Sequence, residues 1–188
     1  MLAIHARYRG RSRRRADYVG RAAAALATLP DVGEFERIGI EDIRAPVGTP
    51  ESLCDVAMAL LSDASWALGL GIAAEPAAAS AAATAALGSA GRPGTVRARV
   101  IPDATSQAGD NIAAVFLLLG QVLAKRSYEG REATSLMRSG ISQIEAAHEL
   151  GITKQAISQR LFAAGWAAEN AGCRLAVNLI AAAEAHTR

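Results

Sequence analysis

Residues 142–166 read SQIEAAHELGITKQAISQRLFAAGW, and their pattern predicts two short helices joined by a tight turn. Ser142 followed by Glu145 is a capping box, which marks the N-terminus of a helix. Gly151 can adopt the left-handed backbone of a turn at no steric cost. Thr153 has the side chain of a second N-cap. The order of these signals is typical of a helix-turn-helix.

The apolar residues of this motif, at 142–164, have the spacing that two crossed helices need. Ala147 is small and precedes the turn glycine by four residues, so we expect the helices to touch there. In recognition helices a second aliphatic residue often stands three positions after the first. Here the first is Ile157, and the residue three positions later is Arg160. Leu161 can take its place, since it lies one turn after Ile157. The shared core is then completed by Leu150, Ile152 and Ile157.

The second helix, Lys154–Ala163, has a polar face that we expect to read DNA. Long polar side chains at the start of such a helix reach base edges in the major groove. The predicted base-reading residues are Lys154, Gln155, Ser158 and Gln159. The predicted phosphate contacts from this motif are Gln143, Thr153 and Arg160. The alternative is a plain helical hairpin without a ligand.

The rest of the chain indicates a soluble, cytoplasmic protein. It has 188 residues, 51% hydrophobic and 20% charged, which is a globular composition. The first residues, MLAIHARYRGRSRRR, place apolar residues before charges, the reverse of a secretory leader. The apolar run 112–124 is too short to span a bilayer and contains a glutamine. We therefore expect no membrane contact.

No residue pattern predicts a metal or a cofactor. Cys54 and Cys173 are far apart and form neither a disulfide framework nor a zinc motif. The three histidines are scattered, at positions 5, 148 and 186. Gly69 and Gly71 approximate a dinucleotide fingerprint, but the acidic residue that should follow is missing. Two strand glycines beside a close backbone neighbour are the simpler interpretation.

The positive charge lies far in sequence from the predicted DNA reader. Residues 1–101 have a net charge of +2, whereas residues 102–188 are neutral, and residues 1–21 alone have a net charge of +6. A solvated turn is one interpretation of the arginine run. The other is contact with DNA phosphates, since nonspecific affinity needs cations. The predicted contacts are Arg11, Arg13, Arg14 and Arg15.

The pattern of elements predicts an α+β fold with two domains. Residues 1–101 alternate strands and helices, which implies a small α/β sandwich. Residues 102–188 are helical in pattern, and the boundary falls near 102–109. The apolar helix at 112–124 and the terminal helix, with Leu175, Leu179 and Ile180, offer more apolar surface than one small domain needs. We therefore expect a homodimer through these helices, as is common for helix-turn-helix proteins.

The helix-turn-helix at 142–166 resembles that of SatD-like proteins from high-GC bacteria. The segments ERIGIEDIRAPVGTPESLCDVAMALL (36–61) and SDASWALGLGIA (62–73) are similar to the N-terminal half of the same family. The resemblance implies an N-terminal domain related in fold to nucleotide cyclase and GGDEF domains, which is a ferredoxin-like arrangement. It also implies a C-terminal DNA-binding domain.

The sequence departs from this family where cyclase chemistry needs carboxylates. Relatives carry an Asp near the end of the first strand and Gly-Asp-Glu in the hairpin, whereas this chain has Arg7 and the run Ile40, Glu41, Asp42. Metals that neutralise phosphate charge need those carboxylates. We therefore predict a transcriptional regulator that is not an enzyme, with no catalytic residue and no known small-molecule effector. The alternatives are a nucleotide-binding or cyclase-related sensor, and a protein-interaction adaptor.

Overall fold

The computed structural model describes residues 1–102 and 107–187, which form a mixed α+β fold. This part of the chain contains a five-stranded sheet and eight helices, and its C-terminal half is helical, as predicted. The strands are β1 (Leu2–Tyr8), β2 (Glu36–Ile38), β3 (Asp42–Val47), β4 (Trp66–Ala73) and β5 (Val96–Ile101). The helices are α1 (Arg15–Leu26), α2 (Pro50–Ser62), α3 (Pro76–Leu87), α4 (Gln107–Ala124), α5 (Tyr128–Arg138), α6 (Gln143–Glu149), α7 (Lys154–Ala163) and α8 (Trp166–Ala185).

The sheet has the strand order β2-β3-β1-β4-β5. All neighbouring strands run antiparallel except β4 and β5, which are parallel. The strands β2 and β3 form a hairpin, whose turn begins at Gly39 with a positive φ of 79°. The first strand is therefore central in the sheet, and its carboxyl end lies beside the start of β3.

One face of the sheet is covered by the alanine-rich helix α3. A Cβ on Gly69 would lie 2.2 Å from the carbonyl oxygen of Ala83, and one on Gly71 would lie 2.0 Å from that of Ala79. Such distances are impossible for real side chains, so only glycine lets α3 lie this close to β4. The two glycines therefore serve helix packing, which agrees with the simpler interpretation of their spacing.

The other face of the sheet carries the main hydrophobic core. Side chains from the strands, such as Ile4 and Leu70, pack there with residues of α1, α2, α4 and α8. From α4 these include Ile112 and Phe116, and from α8 they include Ile180. The helices α4 and α8 therefore pack on the sheet as well as on each other.

Helix α4 is longer than the apolar run that sequence analysis singled out. It has 18 residues and, within the described ranges, is the single helix long and apolar enough to cross a membrane. Six of its residues are buried, and five of them have side chains in the main core: Ile112, Val115, Phe116, Leu119 and Leu123. The helix therefore buries one face in the core and leaves the other face exposed.

A second hydrophobic core joins α5, α6 and α7. Its buried members are Ala133, Ala146, Ala147, Ile157 and Leu161. The cores thus group α4 and α8 with the sheet, and the three helices between them form a separate layer. The predicted boundary near 102–109 includes residues 103–106, which lie outside the described residues, so the division at residue 101 stays a prediction.

Candidate nucleic-acid interface

The caps that start α6 and α7 have the geometry that the sequence predicts. The Ser142 hydroxyl accepts a hydrogen bond from the Glu145 amide at 3.3 Å, and the Glu145 carboxylate accepts one from the Ser142 amide at 2.7 Å. This exchange is a complete capping box. The Thr153 hydroxyl accepts a hydrogen bond from the Ala156 amide at 3.1 Å. Both helices therefore begin where their sequence signals stand.

The turn between α6 and α7 is closed by the backbone and by apolar side chains. Gly151 has a φ of +62°, and the Ile152 amide donates to the carbonyl of Ala147 at 2.9 Å. Ala147 and Ile157 are buried in the core that the helices share with α5. The helices thus form a packed helix-turn-helix with α5 as a third, supporting helix.

Helix α7 turns one apolar side inward and a polar side to solvent. Ile157 and Leu161 are buried. All four predicted base-reading side chains are exposed: Lys154, Gln155, Ser158 and Gln159. The buried residues anchor the helix, so that these polar groups stand on one continuous surface. Such an arrangement is what a helix needs if it is to enter a groove of DNA.

Phe162 extends this exposed surface, and the sequence analysis missed it. Its side chain is 89% exposed, the largest value among the exposed apolar residues. It follows Ser158 by four residues and Gln155 by seven, which places it on the same side of α7. This helical spacing is the sequence signal from which the position of Phe162 could have been predicted. An exposed phenyl ring beside polar reading groups is suited to apolar contact with a thymine methyl.

The three predicted phosphate contacts of the motif occupy different environments. Gln143 is half-buried in the first turn of α6, and Thr153 is exposed but its hydroxyl already caps α7. The Arg160 guanidinium points back to α5, where it lies 3.8 Å from the Glu132 carboxylate. Arg160 is therefore partly neutralised within the protein.

The arginine run lies in the loop from β1 to α1, and all four predicted residues are exposed. Arg15 forms an ion pair with Glu41. The other three, Arg11, Arg13 and Arg14, have no carboxylate partner within the described ranges. Three of the four cations are thus available to an external anion.

Contacts near this loop place it beside the C-terminal end of α2. The amide of Arg9 donates to the carbonyl of Ser65 at 2.6 Å, and the Tyr18 hydroxyl donates to Asp63 at 2.8 Å. Both partners lie in the segment that follows α2, whose last residue, Ser62, shares a cavity with Arg131 of α5. The arginine run is therefore held near the end of α2.

The carboxylates at this end of the sheet are already occupied by cations. Arg7 donates to both carboxylate oxygens of Asp42, at 2.9 and 2.7 Å, and the His5 ring contacts the same group at 3.2 Å. Glu41 pairs with Arg9 and Arg15. Among the described residues there is no group of three or more metal-ligating side chains. Basic side chains compensate both of these carboxylates.

A buried ion cluster joins the three-helix layer to α8. Glu169 is 3% exposed and pairs with both Arg126 and Arg138. Arg126 also donates to the carbonyl of Ala164 at 2.8 Å, and the Arg138 guanidinium lies over the Trp166 ring at 5.8 Å. Glu169 is the shared partner, so removing it would leave the buried Arg126 guanidinium without a carboxylate, and the cluster therefore helps to hold the layer against α8.

Comparison with known proteins does not place the chain in a family. No family model, no curated protein and no solved structure matches it.

Proposed function

We propose that this protein is a cytoplasmic transcriptional regulator that binds double-stranded DNA with α7 in the major groove. The proposal is carried by one observation, the exposed face of α7. Lys154, Gln155, Ser158 and Gln159 stand clear of the protein, while Ile157 and Leu161 hold the helix on its support. In this docking mode the first residues of the second helix read base edges. Phe162 then extends the reading surface by one turn.

The arginine loop supplies the phosphate affinity that this proposal requires. Arg11, Arg13 and Arg14 are exposed and have no carboxylate partner among the described residues, so they are the cations that would contact the backbone of a duplex held by α7. Each phosphate contact would release counterions and add affinity without reading sequence. The sheet would then act as a clamp beside the reading helix.

We further propose that the sheet is a non-catalytic relative of the cyclase domains, as the SatD-like resemblance implies. The element order β1-α1-β2-β3-α2-β4, with the strand order β2-β3-β1-β4, matches a ferredoxin-like arrangement and supports this proposal. The bidentate pair between Arg7 and Asp42 disfavours a metal-dependent enzyme at the equivalent position. The sheet then serves as a scaffold for the DNA-binding helices.

Selection of bound sequences from a random duplex DNA pool tests the DNA-binding proposal. The wild-type chain should enrich a defined motif. A triple variant, Gln155→Ala, Ser158→Ala and Gln159→Ala, should lose the motif while it stays folded, since all three side chains are exposed. Ser89→Ala, an exposed serine in the segment after α3, is the matched control and should enrich the wild-type motif. A wild-type protein that enriches nothing contradicts the proposal.

A further inference from the structure

A small cavity lies where the sheet and its helices meet the three-helix layer. Its volume is about 130 Å³, and it is lined by Ser62, Leu123, Arg126, Arg131, Thr134 and Arg138. The end of α2 and the end of α4 form one wall, and α5 forms the other. Arg126 and Thr134 are buried at its floor, whereas Ser62, Arg131 and Arg138 are exposed at its mouth.

Three guanidinium groups line this cavity, and its lining residues include no carboxylate. Glu169 compensates Arg126 and Arg138 together, with one negative charge for two positive charges. Arg131 has no carboxylate partner in the part of the chain that the structure describes. Asp63, which follows Ser62, is held by the Tyr18 hydroxyl and the Trp66 indole. The cavity therefore retains an excess of positive charge.

The donors are arranged to converge on one small ligand. Arg131, Thr134 and Arg138 follow each other at intervals of three and four residues, so they project from the same side of α5. The Thr134 hydroxyl already donates to the carbonyl of Arg131 at 3.1 Å, and Arg126 and Arg138 donate to Glu169. Arg131 and Ser62 are therefore the main donors left for a ligand. Guanidinium groups bind tetrahedral oxyanions well because their planar N–H pairs match two oxygens at once.

We propose that this cavity binds a single tetrahedral oxyanion, either inorganic phosphate or the phosphoryl group of a larger ligand. The volume is about that of four waters at roughly 30 Å³ each, so it suits one phosphoryl group and not a whole nucleotide. Arg131 is its principal unpaired donor, and Arg126 and Arg138 complete the positive wall. A bound anion would link α5 to the end of α2.

The proposal is tested by titrating the full chain with inorganic phosphate by calorimetry, at an ionic strength held constant with chloride. Phosphate should also raise the melting temperature more than chloride does, because a ligand that binds the folded state stabilises it. Arg131→Gln should weaken phosphate binding by roughly tenfold or more, since it removes charge-assisted hydrogen bonds. Arg131→Lys keeps the positive charge but not the planar pair of N–H groups. Its phosphate affinity should therefore lie between those of the wild type and Arg131→Gln.

Arg174→Gln is the matched control, because Arg174 is an exposed arginine on α8 outside the cavity. Arg131 is itself exposed, so its loss leaves the buried cluster and the fold intact. Phosphate binding that is the same in wild type and Arg131→Gln overturns the proposal. So does a phosphate effect no larger than that of chloride.

A second arm distinguishes the two sources of the phosphoryl group. If the ligand is free in solution, Arg131→Gln leaves the salt dependence of duplex DNA binding unchanged while phosphate binding is lost. If a DNA phosphate enters the cavity, the slope of log affinity against log salt falls by about 0.9 in this variant. The calorimetric arm contains no DNA, so its result stands even if the DNA-binding proposal fails.

Discussion

Gln155 is the residue whose side chain most directly tests base reading. It lies in the first turn of α7, is exposed, and follows the Thr153 cap by two residues. A glutamine amide can bond two groups of an adenine edge at once. Gln155→Ala should cost about 1–3 kcal/mol at one base pair and relax the preference there. Binding constants for the selected motif and its single-base variants measure this loss.

The control for this measurement is Arg160→Ala, which should weaken specific and random DNA alike or leave both unchanged. Arg160 already contacts Glu132 within the protein, so its effect on DNA should be small. Equal losses of Gln155→Ala on specific and random DNA would show that this side chain does not read bases.

His5 gives the fold a pH dependence that can be predicted in sign. Its ring is 2% exposed, and burial lowers its pKa below the ordinary 6.5, although the Asp42 carboxylate opposes the shift. Because the folded pKa is depressed, the unfolded chain binds the proton first as pH falls below about 6.5. The free energy of unfolding should therefore decrease from pH 7.5 to pH 5.5.

Urea unfolding at several pH values measures this dependence, with His5→Asn as the comparison. The variant cannot bind the proton, so its unfolding free energy should change less over the same interval. An identical pH dependence in the two proteins would mean that other groups cause it. Carboxylates titrate mostly below this window, so they interfere little.

At the scale of elements, helices and turns are predicted well when their sequence signals lie close together in the chain. Ser142, Glu145, Gly151 and Thr153 act within a few residues, so their pattern predicts α6, the turn and α7. An apolar stripe shows only that a helix face is buried and not which partner buries it. Sequence analysis therefore predicted α4 as an apolar helix but missed its packing on the sheet and α2.

The same distinction explains which parts of the candidate site were predicted. The exposed face of α7 follows from helical periodicity, and only Phe162 was overlooked. The position of the arginine loop near the end of α2 depends on contacts between residues far apart in sequence, such as Tyr18 with Asp63. The cavity around Arg131 likewise needs α2, α4 and α5 together. No local pattern contains that information.

The arginine loop, as an element, should set the salt dependence of DNA binding. Arg11, Arg13 and Arg14 are exposed and lack carboxylate partners among the described residues, whereas Arg15 is paired with Glu41. Changing the first three to Gln should lower the slope of log affinity against log salt by up to roughly 3. The preferred sequence should stay the same, because phosphate contacts carry no base information.

Affinity measured at several salt concentrations tests this, and Arg15→Gln alone should change the slope less than any of the other three single changes. Arg174→Gln, on α8, should leave the slope unaltered. A triple variant with the wild-type slope would identify the loop as a solvated turn, and the phosphate affinity would then have to come from the helices and from dimer avidity.

At the scale of the whole molecule, the two cores divide the protein into two parts. We call the part with the sheet the scaffold, and the three-helix layer the reading layer because α7 is the proposed DNA-reading helix. The sheet, α4 and α8 share one core, and α5, α6 and α7 share the other. The reading layer is held on the scaffold by the ion cluster around Glu169 and by the backbone contact of Arg126. A dimer contact between two scaffolds would therefore also set the distance between the two α7 helices.

The outer faces of α4 and α8 are the surface that we expect to form a homodimer. The structure revises which side chains can do so, because Ile180 is buried and Leu179 packs against the main core. Exposed instead are Leu118 at 68%, Leu175 at 51% and Leu117 at 43%. Helix α4 has one charged residue, Asp110, in its 18, so its outer face lacks the charges that keep a free surface solvated.

A two-fold dimer through this surface would give the DNA two recognition helices, which a short reading helix needs for affinity. Sedimentation or light scattering at micromolar concentration should give twice the 19.4 kDa of one chain. Leu118→Glu combined with Leu175→Glu should raise the dimer dissociation constant by more than roughly tenfold, since each change buries a charge in an apolar contact.

Ile144→Glu, an exposed apolar residue on α6, is the matched control and should leave the dimer intact. If the control breaks the dimer and the α4 and α8 changes do not, the reading layers form the contact instead. A monomer with and without DNA would contradict the dimer itself.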